Sequence, residues 1–340
     1  MKPLKRNLQL ICAATAMFWA VFAASETPTP KPPGTLVELG DHKLHVSCSG
    51  HGSPTVVVET GLGDFSFDWT LVQTRVARST RICTYDRAGY AWSEPGPKPR
   101  TFAQLNLELH DALQKLGERG PFVLVGHSFG GPAVRNFAAV YPNDVAGIVL
   151  VDSASEGMRV SVGGKKTVRL GDGVKVREIP APREEMSQSE KSTAPVAGQA
   201  SDPPDLDPIY KSLPSQEQKM HLWAQNLPAL AETENNQREW SEIYFAKWLE
   251  KPQTGTLGKL PLVVLTRAEG GYGDDLDVPA AQIEQERKDG QAKLAQLSTN
   301  SRQVFIRTGH NMEVEAPAAV TTAIHEVVEA VRRQRPLAVE

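Results

Sequence analysis

Short apolar runs alternate along the chain with longer stretches in which apolar residues recur at helical spacing. The short runs have the length and the β-branched composition of buried strands, and a turn at Gly40 and Asp41 joins the first two into a hairpin. They cover residues 35–39, 43–47, 55–58, 80–85, 122–125, 147–151, 262–265 and 304–306. A hairpin followed by strands that alternate with helices predicts an α/β fold, with a mostly parallel sheet and helices on both of its faces.

Amphipathic helices are predicted between these strands. The best defined begins at Thr101, which forms a capping box with Gln104, and ends at Gly117. The apolar faces of the helices consist of Trp69, Val72 and Val76; Leu105, Leu109, Ala112, Leu113 and Leu116; Val134, Phe137, Ala138 and Tyr141; and Val320, Ile324, Val327, Val328 and Val331. Each face is wide enough to cover part of a sheet.

The pattern changes between residues 153 and 259. This stretch lacks strand signals, is charged and rich in Pro and Ser around residues 179–208, and then predicts helices from 215 to about 250. We interpret it as a cap or lid inserted into a core formed by residues 35–152 and 260–335. A stripe that includes Trp240 and Trp248 either contacts the core or lines a pocket.

The first 30 residues have the features of an export signal. Lys2, Lys5 and Arg6 precede an apolar stretch that runs from Leu8 to Ala24. We predict a signal peptide over residues 1–24, cut after about Ala23, and a Pro-rich linker over residues 25–34. An uncleaved membrane anchor is the alternative. Cleavage would remove three basic residues and change the net charge from -3 to -6, and the mature protein would lie in the periplasm or outside the cell, without stable membrane insertion.

Composition excludes several classes of function. The 340 residues are 40% hydrophobic, which suffices for a large core, and their net charge of -3 is far from the basic balance of a nucleic-acid-binding protein. The sequence has no metal-ligand spacing, phosphate-binding loop or dinucleotide fingerprint. It therefore predicts no cofactor, no metal and no nucleic-acid partner, but a small-molecule substrate.

The most informative motif follows the strand that begins at Phe122. Gly126, His127, Ser128, Phe129 and Gly130 form a GxSxG pattern between a strand and a helix. A nucleophilic serine on such a sharp turn has an accessible hydroxyl, and the flanking glycines remove side chains that would collide there. Ser128 is therefore the candidate nucleophile.

A serine nucleophile needs a base and an orienting acid, which follow it in the order acid and then histidine on this type of elbow. His310 lies in a loop between the last strand and the last helix, late enough to complete that order. The other histidines that we compared precede Ser128, lie on helices or belong to the elbow itself: His42, His45, His51, His110, His127 and His325. His310 is therefore the candidate base.

Together these motifs resemble the α/β-hydrolase family, which includes esterases, lipases and prolyl aminopeptidases. The resemblance covers nearly all of residues 35–335 and is carried by GHSFGG at 126–131, YDRAGYAWS at 85–93, and His310 followed by Glu315 and Pro317. It implies an eight-stranded sheet with a helical cap. Family members often have His-Gly in the loop after the third strand, where this chain has Thr60 and Gly61.

The resemblance also implies roles for further residues. The backbone N–H groups of Leu62 and Phe129 are placed in an oxyanion hole. The acid usually follows the strand after the cap, where Glu269 is the nearest carboxylate, ahead of Asp274 and Asp275. Some members place it after the strand that follows the nucleophile helix, and Asp152 stands there. We favour Asp152, with Glu269 as the alternative.

Two further pairs of residues are interpreted through this fold. It places the second strand beside the fourth, so that Cys48 and Cys83 can form a disulfide; buried free thiols are the alternative. Asp86 and Arg87 are expected to hold a loop by hydrogen bonds to each other.

The sequence thus predicts an exported serine hydrolase that cleaves carboxylic esters through an acyl-enzyme on Ser128. An aminopeptidase that cleaves amides is the first alternative, and it would need an acidic side chain for the substrate amine. A binding protein that has lost its chemistry is the second. Epoxide hydrolysis and dehalogenation are disfavoured, because the enzymes of those types have an aspartate at the position of Ser128.

Overall fold

The structure, a computed structural model, describes residues 29–157, 159–162, 166–169, 205–249, 255–268, 270 and 278–337. The predicted signal peptide, most of the linker, Glu269, Asp274 and Asp275 lie outside the described residues. So do the side chains of 242–249, which include Trp248.

The described strands and helices follow the predicted alternation. The strands are β1 (Thr35–Glu38), β2 (Lys43–Ser49), β3 (Val56–Glu59), β4 (Ile82–Tyr85), β5 (Phe122–His127), β6 (Val145–Val151), β7 (Arg159–Val162), β8 (Lys166–Arg169), β9 (Leu262–Arg267) and β10 (Ser301–Ile306). The helices are α1 (Thr70–Val76), α2 (Phe102–Lys115), α3 (Gly130–Val140), α4 (Ser215–Ala224), α5 (Leu230–Leu249), α6 (Ala280–Ala295), α7 (Met312–Glu315) and α8 (Pro317–Arg333).

Eight of these strands form one sheet in the order β1-β2-β4-β3-β5-β6-β9-β10. β2 runs antiparallel to both of its neighbours, and the other pairs are parallel. The prediction of a mostly parallel eight-stranded sheet is confirmed. Because the carboxyl ends of parallel strands meet at one edge, the loops after β3, β5, β6, β9 and β10 converge there.

Apolar side chains cover both faces of the sheet. β3, β5 and β9 are buried along their whole length. One apolar cluster joins the sheet to α2 and α3 through side chains such as Leu109 and Phe137, and another joins it to α1 and α8 through Val72 and Ile324. This burial on two faces explains why the central strands have nearly continuous apolar sequences.

Two features between β6 and β10 were not predicted. β7 and β8 form a small antiparallel hairpin within the region that we had described as lacking strands. α6 was missed because its buried face is largely polar, consisting of Arg287, Gly290, Gln291 and Leu294. The predicted helices at 215–250 correspond to α4 and α5, and Trp223 of α4 packs on Trp92 with ring centroids 5.2 Å apart.

Cys48 of β2 and Cys83 of β4 stand opposite each other in the sheet and are joined by a disulfide. The bond links a strand of the amino-terminal hairpin to an inner strand and closes a loop with a sequence separation of 35. It therefore restricts the unfolded chain across the first part of the sheet.

Opening this bond should destabilise the fold. For a loop of this length we expect C48A/C83A to lower the free energy of unfolding by about 4 kcal/mol, since the unfolded chain regains loop entropy. Urea unfolding with and without reductant measures the change, and the double variant is the control, because reductant should leave its stability unaltered. Equal stability of the wild type under oxidising and reducing conditions would contradict the prediction.

Candidate active site

The turn between β5 and α3 holds Ser128 in a strained conformation. Its φ is 49°, in the left-handed region that a serine rarely adopts. Close backbone packing holds the turn in place: a Cβ at Gly130 would lie 2.2 Å from the carbonyl oxygen of Glu59, and one at Gly126 would lie 2.6 Å from that of Gly130. Only glycine fits at these two positions, as the elbow pattern requires.

A chain of hydrogen bonds runs from Ser128 through His310 to Asp152. The Ser128 hydroxyl donates to Nε2 of His310 over 2.9 Å, and Nδ1–H of His310 donates to the Asp152 carboxylate over 2.6 Å. The three side chains come from the ends of β5, β6 and β10, which the parallel sheet brings to one edge. The structure thus joins three sequence-predicted site residues in the arrangement of a nucleophile, a base and an orienting acid.

Asp152 lies at the end of β6 with a φ of 36° and is buried. The Arg267 guanidinium lies 3.1 Å from one of its carboxylate oxygens, and that of Arg287 lies 3.7 Å from the other. Burial favours the protonated acid, but the hydrogen bond from His310 and the charge of Arg267 outweigh it, so that the pKa of Asp152 is lowered. Asp152 is therefore an anion at neutral pH.

The same surroundings keep His310 neutral. Burial disfavours its imidazolium and lowers its pKa below the ordinary value of 6.5, although the hydrogen bond to Asp152 opposes that effect. The charge of His127 lowers the pKa further. A neutral imidazole facing a serine hydroxyl can accept its proton.

A pocket of about 260 Å³ opens over Ser128. It is lined by Gly61, Leu62, Gly63, Asp64, His127, Ser128, Tyr210, His310 and Asn311. Tyr210 belongs to a turn of the cap region, and its hydroxyl accepts a hydrogen bond from Asn311 over 3.3 Å. The cap region therefore supplies one wall of the pocket and the sheet edge supplies its floor.

The loop after β3 is fixed by Arg87. This buried guanidinium donates to the carbonyl oxygens of Thr60 (2.8 Å) and Gly61 (2.5 Å) and pairs with Glu59 (2.8 Å). A carboxylate oxygen of Asp64 accepts a hydrogen bond from the backbone N–H of Gly61 over 2.9 Å. The expectation that Asp86 and Arg87 bind each other is wrong: Asp86 instead bonds Ser66 and His45, because its side chain faces the loop and β2.

Leu62 and Phe129 lie close to Ser128. Leu62 follows the fixed Gly61, and Phe129 directly follows the serine at the start of α3; their side chains share one apolar cluster. Within the described residues, no protein group accepts either backbone N–H. Both N–H groups are thus available to a substrate oxygen.

A second polar cluster, which was not predicted, lies at the wall of the pocket. His127, Asp64 and Glu313 are buried with their polar atoms within 4.8 Å of one another. Metals bind such side chains, but here Nδ1–H of His127 donates to Asp64 over 2.7 Å, which is the geometry of an ion pair. The pairing could not be recognised in advance, because the three residues lie far apart in the sequence.

Comparison with known proteins identifies the fold family. A model of the alpha/beta hydrolase family matches residues 35–323, most of the chain. The chain belongs to the α/β-hydrolase family. The resemblance found in the sequence is thereby confirmed.

This α/β-hydrolase has relatives among curated proteins and solved structures. It is 32% identical over 107 residues to an AB hydrolase superfamily protein of Gibberella zeae, covering 30% of this chain and 33% of that one. It is 28% identical over 124 residues to the uncharacterized protein YbdG of Bacillus subtilis, covering 36% and 38%. The matches thus span less than half the length of these curated relatives.

Two solved structures show the same fold at low sequence identity. The enol-lactonase of Burkholderia xenovorans LB400 superimposes with a TM-score of 0.57 at 18% identity, covering 87% of this α/β-hydrolase and 100% of that chain. A meta-cleavage product hydrolase of Pseudomonas fluorescens IP01 gives 0.57 at 15% identity, covering 87% and 98%. Within the described part of this α/β-hydrolase, no helix is long and apolar enough to cross a membrane.

Proposed function

We propose that this α/β-hydrolase cleaves carboxylic esters through an acyl-enzyme on Ser128. The observation that carries the proposal is the hydrogen-bonded chain from Ser128 through His310 to Asp152 at the floor of a pocket. The buried arginines beside Asp152 support its role as the acid, because their positive charges keep its carboxylate ionised. In this role the carboxylate orients His310 and does not bind the substrate.

The reaction has two stages. Oγ of Ser128 adds to the ester carbonyl carbon while its proton passes to Nε2 of His310; the bond to the alkoxy oxygen then breaks, and that oxygen takes the proton and leaves as an alcohol. Water next adds to the acyl carbon, gives its proton to His310, and the proton returns to Ser128 as the acid is released. Asp152 holds the ring in the required tautomer throughout.

The backbone N–H groups of Leu62 and Phe129 serve as the oxyanion hole. During each addition the carbonyl oxygen becomes negative, and a fixed donor at that position contributes about 3 kcal/mol to transition-state stability. Arg87 and Asp64 hold the loop of Leu62 from both sides, so this donor needs no rearrangement when the charge develops.

Export fits two separate features. Lys2, Lys5 and Arg6 precede an apolar run, as in a signal peptide, and the Cys48–Cys83 disulfide is of the kind that persists in oxidising compartments. We therefore place the mature enzyme in the periplasm or outside the cell.

The nucleophile can be tested directly. A fluorophosphonate should form a covalent adduct on Ser128, since the activated hydroxyl attacks phosphorus as it attacks an ester, and peptide mass spectrometry locates the adduct. S128A should lose the label and about 10⁵-fold or more of its kcat on p-nitrophenyl acetate or butyrate. S79A, which changes a serine outside the pocket, should behave as the wild type. Folded wild-type protein that takes no label and cleaves no ester would instead support the binding-protein alternative.

The acid can be identified by a matched pair of variants. D152N should lower kcat by about 10⁴-fold with an unchanged fold, because the amide favours the wrong tautomer of His310. E269Q should leave kcat near the wild-type value. Steady-state kinetics on the same ester measures both, and circular dichroism checks the fold. Loss of activity in E269Q alone would assign the acid to Glu269.

Amide cleavage by an aminopeptidase is a second candidate, and Glu234 is the observation that favours it. Its carboxylate lies near the loop after β3, where a Cβ built on Gly63 would be 3.4 Å from a carboxylate oxygen of Glu234. The half-buried position of Glu234 raises the pKa of its carboxyl group. An anion there can bind a substrate ammonium group.

The two candidates differ in their response to E234Q. For an aminopeptidase, the variant should raise KM for an aminoacyl p-nitroanilide by about tenfold or more, because a charged contact is lost. For an esterase, E234Q should leave p-nitrophenyl acetate turnover unchanged, and the wild type should cleave the ester far faster than the anilide. E232Q, which changes an exposed glutamate on the same helix, is the control.

A further inference from the structure

His127, next to the proposed nucleophile, makes contacts that only one protonation state can satisfy. Its ring is buried. Nδ1 lies 2.7 Å from a carboxylate oxygen of Asp64, and Nε2 lies 3.0 Å from the backbone carbonyl oxygen of His310. Both oxygens accept hydrogen bonds: that of Asp64 also accepts the N–H of Gly61 over 2.9 Å, and the pKa of Asp64 is lowered because the charge and the hydrogen bond of His127 outweigh burial, so neither oxygen donates one.

A neutral histidine carries a proton on one ring nitrogen only. With a neutral His127, one nitrogen lone pair would therefore face an oxygen lone pair at 2.7 or 3.0 Å, too close for a water molecule to lie between them. An imidazolium has two N–H groups and satisfies both contacts. The geometry is thus that of a cation between an anion and a carbonyl dipole.

The surrounding charges agree with this state. Glu313 of α7 has its carboxylate 3.8 Å from Nδ1 of His127, and neither of its oxygens has a hydrogen-bond partner within the described residues. Burial by itself lowers the pKa of His127, but Glu313 and Asp64 outweigh it and raise that pKa to about 10. Burial raises the pKa of Glu313 to about 8, so Asp64 is the anion beside His127 at neutral pH, and Glu313 becomes a second one as the pH rises past about 8, before His127 loses its proton.

The cation also lies against the His310 ring. The ring centroids of His127 and His310 are 4.8 Å apart. A fixed positive charge at this distance disfavours a second positive charge on His310. At the same time, Nε2–H of His127 donates to the His310 backbone carbonyl over 3.0 Å and so helps to fix the residue whose ring lies between Ser128 and Asp152.

We propose that His127 is a positioning residue for the catalytic base: a permanent imidazolium, held by Asp64, that anchors the His310 backbone and keeps the His310 ring unprotonated between turnovers. The inference rests on the proposed function of Ser128 and His310. It assigns to His127 no part in the transfer of protons to or from the substrate.

Other charged groups surround the rings of His127 and His310. His310 faces Asp152 and Arg267 from the ends of β6 and β9. The carboxylates of Asp64 and Glu313 also interact with Asp68, which pairs with His221 of α4 over 2.8 Å, and Asp64 interacts with Arg87. Burial lowers the pKa of His310 most, the charges of His127 and Arg267 lower it further, and Asp152 opposes all three.

Nuclear magnetic resonance of the wild-type protein tests the charge without any substrate. In ¹⁵N-histidine-labelled protein at about pH 8, where an ordinary histidine is neutral, both ring nitrogens of His127 should carry protons. The spectrum of H127Q and the contact between the His127 and His310 rings assign the signals. A neutral His127 at this pH would overturn the proposal, whether or not the protein cleaves esters.

The variant H127Q tests the effect on His310. Its amide keeps a donor for the His310 carbonyl but removes the charge, so the titration of His310 followed by NMR should move upward by about one pH unit. The acidic limb of the pH profile of kcat/KM for the ester should move by the same amount. Activity in mildly acidic solution, where His310 becomes protonated first, should fall most.

The control is H325Q, which changes a histidine on α8 that bonds Ser79 and does not line the pocket. It should leave both the His310 titration and the kinetic profile unchanged. A lower kcat in H127Q without a shift would leave only a structural role and overturn the proposal. If H127Q does not fold, the NMR measurement on the wild-type protein still tests whether His127 is charged. A wild-type protein without esterase activity would overturn the proposed function but not the charge of His127.

Discussion

The structure depends on how closely the turn after β5 packs against the neighbouring backbone. Ser128 keeps a φ of 49° because the backbone on either side of it is closely packed. A Cβ on Gly130, for example, would lie only 2.2 Å from the carbonyl oxygen of Glu59. This contact ties the nucleophile turn to the end of β3, from which the loop of Leu62 departs. The two proposed oxyanion donors are thereby fixed by one backbone contact. Strain of about 1–2 kcal/mol at a single serine is a small cost within a sheet buried on both faces.

Buried ion pairs then fix the loops and strand ends whose positions apolar packing does not determine. Arg87 with Glu59 holds the carbonyl oxygens after β3, Asp64 with His127 holds the N–H of Gly61, and Arg267 with Asp152 joins the ends of β9 and β6. Such pairs contribute little net stability, because each charge loses its hydration on burial. Their geometry is directional, however, and breaking one leaves an unpaired charge in the interior. We conclude that they define the site more than they stabilise the fold.

The sequence predicted the parts of the molecule that depend on local patterns. The central strands and the helix after Thr101 follow from periodicity and capping, while Ser128 and His310 follow from an elbow motif and from chain order. Asp152 could be placed only through resemblance to a family. α6 was missed because it buries Arg287 and Gln291 where a pattern search looks for apolar residues. Asp64, Glu313 and Arg267 were missed for a different reason: a buried charge is recognisable only by its partner, and these partners are distant in sequence.

The charges around His310 explain why its acid needs two arginines. An unopposed carboxylate 2.6 Å from Nδ1 would favour the imidazolium, and the base would then be protonated before it met a substrate. Arg267 and Arg287 reduce that pull while leaving the carboxylate in place to orient the ring. The charge of His127 also lowers the pKa of His310. Since Asp152 still stabilises the imidazolium once a proton arrives from Ser128, the arrangement favours a base that is neutral at rest and charged only during the reaction.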